Sequence, residues 1–161
     1  MRNTALALST CLALIVVALT DSAFVVPAVA QDQLILGPRQ LEEDKSGAGA
    51  VLCSWMILMS FQAQAAACAL PRQPIDDAMD EAIVAIDEFI LANSSLHPTR
   101  HMIESFKRDW SQRARSGPLY CEDPALRQLR SDNEEPARIR ERVKALLAVP
   151  REPVGEPCDV P

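Results

Sequence analysis

Hydrophobic residues along this chain recur at helical spacing, and charged residues fill the positions between them. From Pro74 to about Ala92, apolar side chains return every three or four residues, as on one face of an amphipathic helix. The same spacing follows Pro98 and again follows Glu135. The pattern predicts three amphipathic helices. Their apolar faces are Ile75, Met79, Ala82, Ile83, Ile86, Phe89 and Ile90; Met102, Ile103, Phe106, Trp110 and Ala114; and Ile139, Val143, Leu146 and Leu147.

Prolines and a glycine mark where these helices begin and end. Pro74 and Pro98 each suit the first helical position, which places His97 at the cap of the third helix. Gly117 suits the position just after that helix, because glycine tolerates the backbone of a C-terminal cap. Asp123-Pro124 predicts a cap and a short helical turn before the last helix.

One segment is apolar on all sides rather than on one face. Residues 46–71 carry no charge, residues 50–61 are almost wholly apolar, and an alanine-rich stretch follows. Such a helix is either the centre of a core or a membrane span. Gln62 and Gln64, and a cysteine near each end, favour a central core helix over residues 50–70. A membrane helix is the alternative that the length allows.

The N-terminus has the pattern of a cleaved export signal. Met1-Arg2-Asn3 is short and positive, residues 5–19 are almost wholly apolar and carry no charge, and Ala28-Val29-Ala30 matches the small residues that signal peptidase requires. Asp21 ends the apolar run too early for a retained anchor of about 20 residues. We therefore expect residues 1–30 to be removed. The mature protein is predicted to start at Gln31 and to be periplasmic or secreted.

Length and composition indicate one helical domain. The chain has 161 residues, of which 48% are hydrophobic and only 4% aromatic. We divide it into an irregular lead-in at 31–46, a helical domain at 47–149 and a Pro-rich tail at 150–161. The net charge of −6 argues against nucleic-acid binding, which needs a basic surface.

Four cysteines remain after signal removal, which predicts two disulfides in an exported chain. Cys53 and Cys68 lie near opposite ends of one predicted helix, roughly 22 Å apart, which is too far for a bridge. Antiparallel helices would bring Cys121 to Cys68, and the tail would bring Cys158 to Cys53. We therefore predict the bridges Cys68–Cys121 and Cys53–Cys158. The predicted fold is an all-α, up-and-down bundle of about four helices.

His97, His101 and Glu104 form the one arrangement that resembles a metal site. Two histidines four residues apart on a helix can share a metal, and a glutamate three residues later can be a third ligand. However, a cap residue does not keep helical geometry, so His97 fits a capping role better. We expect neither a bound metal nor a cofactor.

The second helix carries six carboxylates, including Asp76 in its first turn. Catalysis would need one of them buried beside another, whereas these lie mainly opposite the apolar face. We expect them to be solvated. As a functional hypothesis, they form a surface for a basic partner. That candidate partner surface consists of Asp77, Asp80, Glu81, Asp87 and Glu88. The G-x-S-x-G and phosphate-loop motifs are absent.

The order of several features resembles the small periplasmic immunity proteins of type VI secretion systems. Cys53 lies early in a buried helix, Cys68 is followed closely by Pro71, His97-Pro98 opens a helix, and Tyr120-Cys121 closes it. The similarity covers about residues 50–121. It implies a disulfide-stabilised helical protein that binds and neutralises an imported cell-wall amidase, and that often dimerises.

Together these features predict a non-enzymatic interaction protein, such as an inhibitor, a chaperone or an accessory subunit. Its partner is an unidentified protein, and a homodimer is compatible with the resemblance. We expect no nucleic-acid partner and no stable membrane insertion of the mature chain. The alternative is a helical bundle that binds a small ligand or a metal through His97, His101 and Glu104.

Overall fold

The computed structural model describes residues 36–117 and 120–158, and this part of the chain is all-α. Helix α1 packs against α2 and α3, and α5 packs against α2. This confirms the predicted helical class, with the short turn after Asp123 forming a helix of its own. The predicted signal peptide and the cleavage site before Gln31 lie outside the described residues. After a 3-10 helix at Gly37–Leu41, the helices are α1 Val51–Ala67, α2 Pro74–Asn93, α3 Arg100–Ser116, α4 Pro124–Ser131 and α5 Glu135–Leu146.

Helix α3 begins later than its proline indicates. The hydroxyl oxygen of Thr99 accepts a hydrogen bond from the Met102 amide over 3.3 Å, which makes Thr99 the N-cap. The prediction that Pro98 is the first helical residue and His97 the cap is therefore wrong. His97 has a positive φ of 47° and lies outside the helix.

Helix α1 is apolar all round because it is covered on two sides, by α2 and by α3. Trp55 is fully buried, and its ring stacks on Phe106 of α3 with centroids 5.1 Å apart. Val51, Leu52 and Met59 are also buried on this helix. None of the helices within the described ranges combines the length and hydropathy needed to cross a bilayer.

Both predicted disulfides are confirmed. Cys68 bridges to Cys121 with a Cα–Cα distance of 5.5 Å, and Cys53 bridges to Cys158 with a distance of 5.3 Å. The first bridge ties the end of α1 to the segment after α3. The second ties the start of α1 to the tail, as helix geometry predicted.

The two ends of the described chain pair with each other. The amide of Asp44 donates to the Glu156 carbonyl over 2.6 Å, and the amide of Glu156 donates to the Glu42 carbonyl over 3.0 Å. The amide of Leu52, at the start of α1, donates to the Val154 carbonyl. We call residues 39–44 and 151–156 the end clasp. The lead-in that we expected to be irregular thus contains a 3-10 helix and is held by the tail.

Candidate functional site

The exposed carboxylates of α2 are already paired within the protein. Asp77, Asp80, Glu81 and Glu88 all reach solvent, but each meets an arginine from another part of the chain. Their charges are therefore largely compensated before any partner arrives. The pairs are Arg72 with Asp77 and Asp80, Arg140 with Glu81, and Arg100 with Glu88.

Asp87 does not belong to the candidate partner surface, and its assignment there is wrong. Its residue is only 2% exposed, because its carboxylate points towards α1 and α3. Trp55 Nε1 donates to Asp87 Oδ1 over 2.8 Å, and Lys107 Nζ donates to Oδ2 over 2.7 Å. Burial raises the pKa of Asp87, and the bonds from Lys107 and Trp55 only partly offset this effect.

Asp76 is also buried, although we expected the α2 carboxylates to be solvated. Its carboxylate forms an ion pair with the buried guanidinium of Arg130 from α4. The same carboxylate accepts from the backbone amide of Gln73, the N-cap residue, over 2.7 Å, so Asp76 also takes part in the capping box of α2. Asp76 therefore anchors α4 to the start of α2.

The structure does not assemble the candidate metal ligands into a site. His97 precedes the cap of α3, whereas His101 is exposed on the first turn of that helix. Glu104 is held by Lys107 over 3.1 Å. Within residues 36–117 and 120–158, no group of three or more ligating side chains is placed to bind a metal ion.

A polar cleft of about 310 Å³ lies where the end of α1 approaches the start of α2 and the end of α3. Small side chains create it, because alanines on α1 leave space that larger residues would fill. Polar and charged groups surround this alanine floor. Buried Ala63 and Ala65 form this floor, and the other lining residues are Gln62, Ala66, Leu70, Arg72, Asp76, Asp80, Ser111 and Arg115.

The carboxylates of this cleft are compensated, but one of its arginines is not. Asp76 pairs with Arg130, and Asp80 accepts from both Gln62 and Arg72. By contrast, no carboxylate of the described residues lies within 4.0 Å of Arg115. The cleft therefore presents one unpaired positive charge.

Arg115 is the end of a row of donors on one face of α3. Arg108, Ser111 and Arg115 follow one another at three- and four-residue steps, and we call these three residues the arginine row. They line a shallow depression of about 540 Å³ that shares Ser111 and Arg115 with the cleft. The remaining lining residues are Lys107, Gln112 and Ser116.

The two arginines of the row differ from most other arginines of the described chain. Nine described arginines have a carboxylate within 4.0 Å, whereas Arg108 and Arg115 have none from residues 36–117 or 120–158. Arg108 donates to the Ser105 hydroxyl over 2.8 Å, which leaves most of its N–H donors unused. The sequence shows the spacing of this row, but only the fold shows that it lacks acidic partners.

Comparisons with protein family models, with curated proteins and with solved structures give no significant match to this chain. The resemblance to amidase-immunity proteins therefore stays a prediction.

Proposed function

We propose that this protein is a non-enzymatic interaction protein of the periplasm or extracellular space, and that it binds a protein partner through α3. The export pattern at residues 1–30 supports the location. The two disulfides support it as well, because such bridges persist in oxidising compartments.

The observation that carries the proposal is the arginine row beside the polar cleft. Most other arginines of the described chain form ion pairs within it, while Arg108 and Arg115 have no carboxylate partner among the described residues, and Arg108 uses one donor on Ser105. Arginine is enriched in protein interfaces, and charge complementarity accelerates association. A concave, charged surface of this kind suits a protein partner.

The helix that presents the row is held firmly from behind. Ile103 and Phe106 are buried in the core, and Trp110 stacks on Phe106 with centroids 5.8 Å apart. Lys107 is fixed by its bond to the buried Asp87. A rigid presenting helix reduces the entropy lost on binding, which favours tight association.

An immunity-type inhibitor is the specific form of this role that we propose. The order of cysteines, prolines and helices supports it through the sequence resemblance described above. A compact bundle with two bridges also suits a protein that must persist outside the cytoplasm.

Site-directed photocrosslinking in the native host tests the proposal. p-Benzoylphenylalanine replaces exposed Gln112 beside the row, or exposed Glu141 on α5 as the matched control. We expect one discrete protein adduct from position 112 and none from position 141. No adduct at either position, or the same adducts at both, would contradict a docking surface on α3.

A small-ligand carrier is the second candidate function, and the cleft is what favours it. Its volume of about 310 Å³ reaches the lower end of the usual range for ligand sites. Native mass spectrometry of protein recovered from its host would then show a bound molecule of fixed mass. Ala66→Leu, which adds bulk to the exposed part of the cleft lining, should remove that mass while leaving the position-112 adduct unchanged.

A further inference from the structure

We infer that the arginine row takes an acidic protein segment, with one carboxylate on Arg108 and a second on Arg115. This inference rests on the proposed function, because it names the chemistry of the partner that docks on α3. A side chain of the same segment would lie over the alanine floor of the adjoining cleft.

The spacing of the row sets the spacing of the partner's charges. Arg108 and Arg115 are seven residues apart, so they lie on one face about 10.5 Å apart along the helix axis. The Ser111 hydroxyl lies between them and can donate a further hydrogen bond. Each guanidinium offers a planar pair of donors that matches a carboxylate. The partner segment therefore needs two carboxylates separated by roughly 10 Å.

The acidic side chains near the arginine row do not neutralise its positive charges. Glu104 lies one turn before Arg108 on the same face, but Lys107 holds its carboxylate over 3.1 Å. Asp109 lies on α3 as well, about 100° or more around the helix from each member of the row.

The cleft carboxylates are engaged in the same way. Asp76 is bound by Arg130, and Asp80 is bound by Arg72. A carboxylate that binds the arginine row is therefore not repelled by Asp76 or Asp80, because an arginine already compensates each of these charges.

The number of unpaired charges favours a protein segment over other polyanions. Recognition of an anionic membrane generally uses a cluster of about four to eight basic residues. Nucleic-acid binding likewise needs a broad basic surface to displace counterions. The chain has a net charge of −6, and the row supplies only two arginines without a carboxylate partner. Two arginines suffice for a local contact with two carboxylates.

Titration of the full mature chain with hexaglutamate, followed by amide NMR shifts at low salt, tests the inference. With hexaglutamate we expect shifts concentrated at residues 108–116 and 62–66, and with hexalysine we expect no shifts at these residues. The double variant Arg108→Gln/Arg115→Gln should bind hexaglutamate at least tenfold more weakly. The matched control Arg127→Gln/Arg142→Gln removes two exposed charges from α4 and α5, and it should change affinity less than twofold.

Three outcomes overturn the inference: equal losses in the two double variants, shifts spread over the whole surface, or binding to phosphatidylglycerol vesicles that exceeds binding to the peptide. If the wild-type protein does not bind hexaglutamate but still forms the position-112 adduct, only the inference of an acidic partner segment is refuted. If the wild-type protein binds hexaglutamate but forms no adduct at position 112, the proposed role of α3 in binding a protein partner is refuted instead.

Discussion

Arg151 and Asp44 lie 107 positions apart, yet Arg151 Nε donates to Asp44 Oδ1 over 3.0 Å where both side chains are nearly closed to solvent. The same guanidinium donates to the carbonyls of Gly49 and Leu146, each over 2.7 Å. One side chain therefore joins the lead-in, the loop before α1 and the end of α5. This is the polar centre of the end clasp.

Arg151→Ala should lower the free energy of unfolding by about 3 kcal/mol, because it leaves the Asp44 carboxylate buried without its cation. Urea denaturation measures the change. Arg127→Ala is the control, since its pair with Glu122 is exposed and should contribute about 1 kcal/mol or less. If Arg151→Ala and Arg127→Ala lower the free energy of unfolding equally, Arg151 has no special role in stability.

Asp44 should make stability depend on pH in the acid range. Burial opposes its ionisation, but hydrogen bonds from Ser46 and Gly49 and the charge of Arg151 outweigh burial and lower the pKa of Asp44 below 3.8. Its contribution is therefore present above pH 3.8 and is lost as the pH falls through the lower pKa of the folded state. The stability difference between the wild type and Asp44→Asn should be large at about pH 6 and shrink at about pH 3. A difference independent of pH would refute this.

Lys107→Ala should destabilise the protein by about 3 kcal/mol, because the buried Asp87 carboxylate then keeps only its bond from Trp55. Adding Asp87→Asn to that variant removes the uncompensated charge and should restore part of the loss. Denaturation of the single and double variants gives the comparison. If Asp87→Asn destabilises the Lys107→Ala background further, the pairing argument is wrong.

Gly155→Ala should open the end clasp. A Cβ at this position would lie 2.0 Å from the carbonyl oxygen of Gln40, which is far shorter than a van der Waals contact. Hydrogen exchange at the Leu52 amide, which donates to the Val154 carbonyl, should accelerate at least about tenfold, equivalent to about 1.4 kcal/mol. Gly117→Ala is the control, because its Cβ would meet the nearest atoms at 3.7 Å. Unchanged exchange at Leu52 in the Gly155 variant would contradict the close approach.

The helices were predictable because they depend on local spacing, and the disulfides because helix length and the antiparallel order of short-looped helices limit which cysteines can meet. The steps from Ile75 to Ile90 place the apolar face of α2, and helix length alone excludes a Cys53–Cys68 bridge. The cap of α3 was harder to predict, because Thr99 and the proline before it are both plausible starts and only the Met102 bond decides between them.

Long-range polar pairing was not predictable in the same way. Asp87 follows Ile83 by four residues and precedes Ile90 by three, so it borders the apolar face of α2. Whether such a carboxylate is solvated or buried depends on a partner from another helix, and Lys107 is twenty positions away. The unpaired state of Arg108 and Arg115 depends on the whole fold for the same reason.

The Cys68–Cys121 bridge is nested inside the loop that Cys53–Cys158 closes. A single peptide-bond cleavage between residues 54 and 157 therefore leaves both products covalently joined. Cleavage between the end of α3 and Cys121, for example, releases no fragment until both disulfides are also reduced, because both bridges then join the two products. In a compartment that contains proteases, the chain can be nicked once and still remain a single molecule.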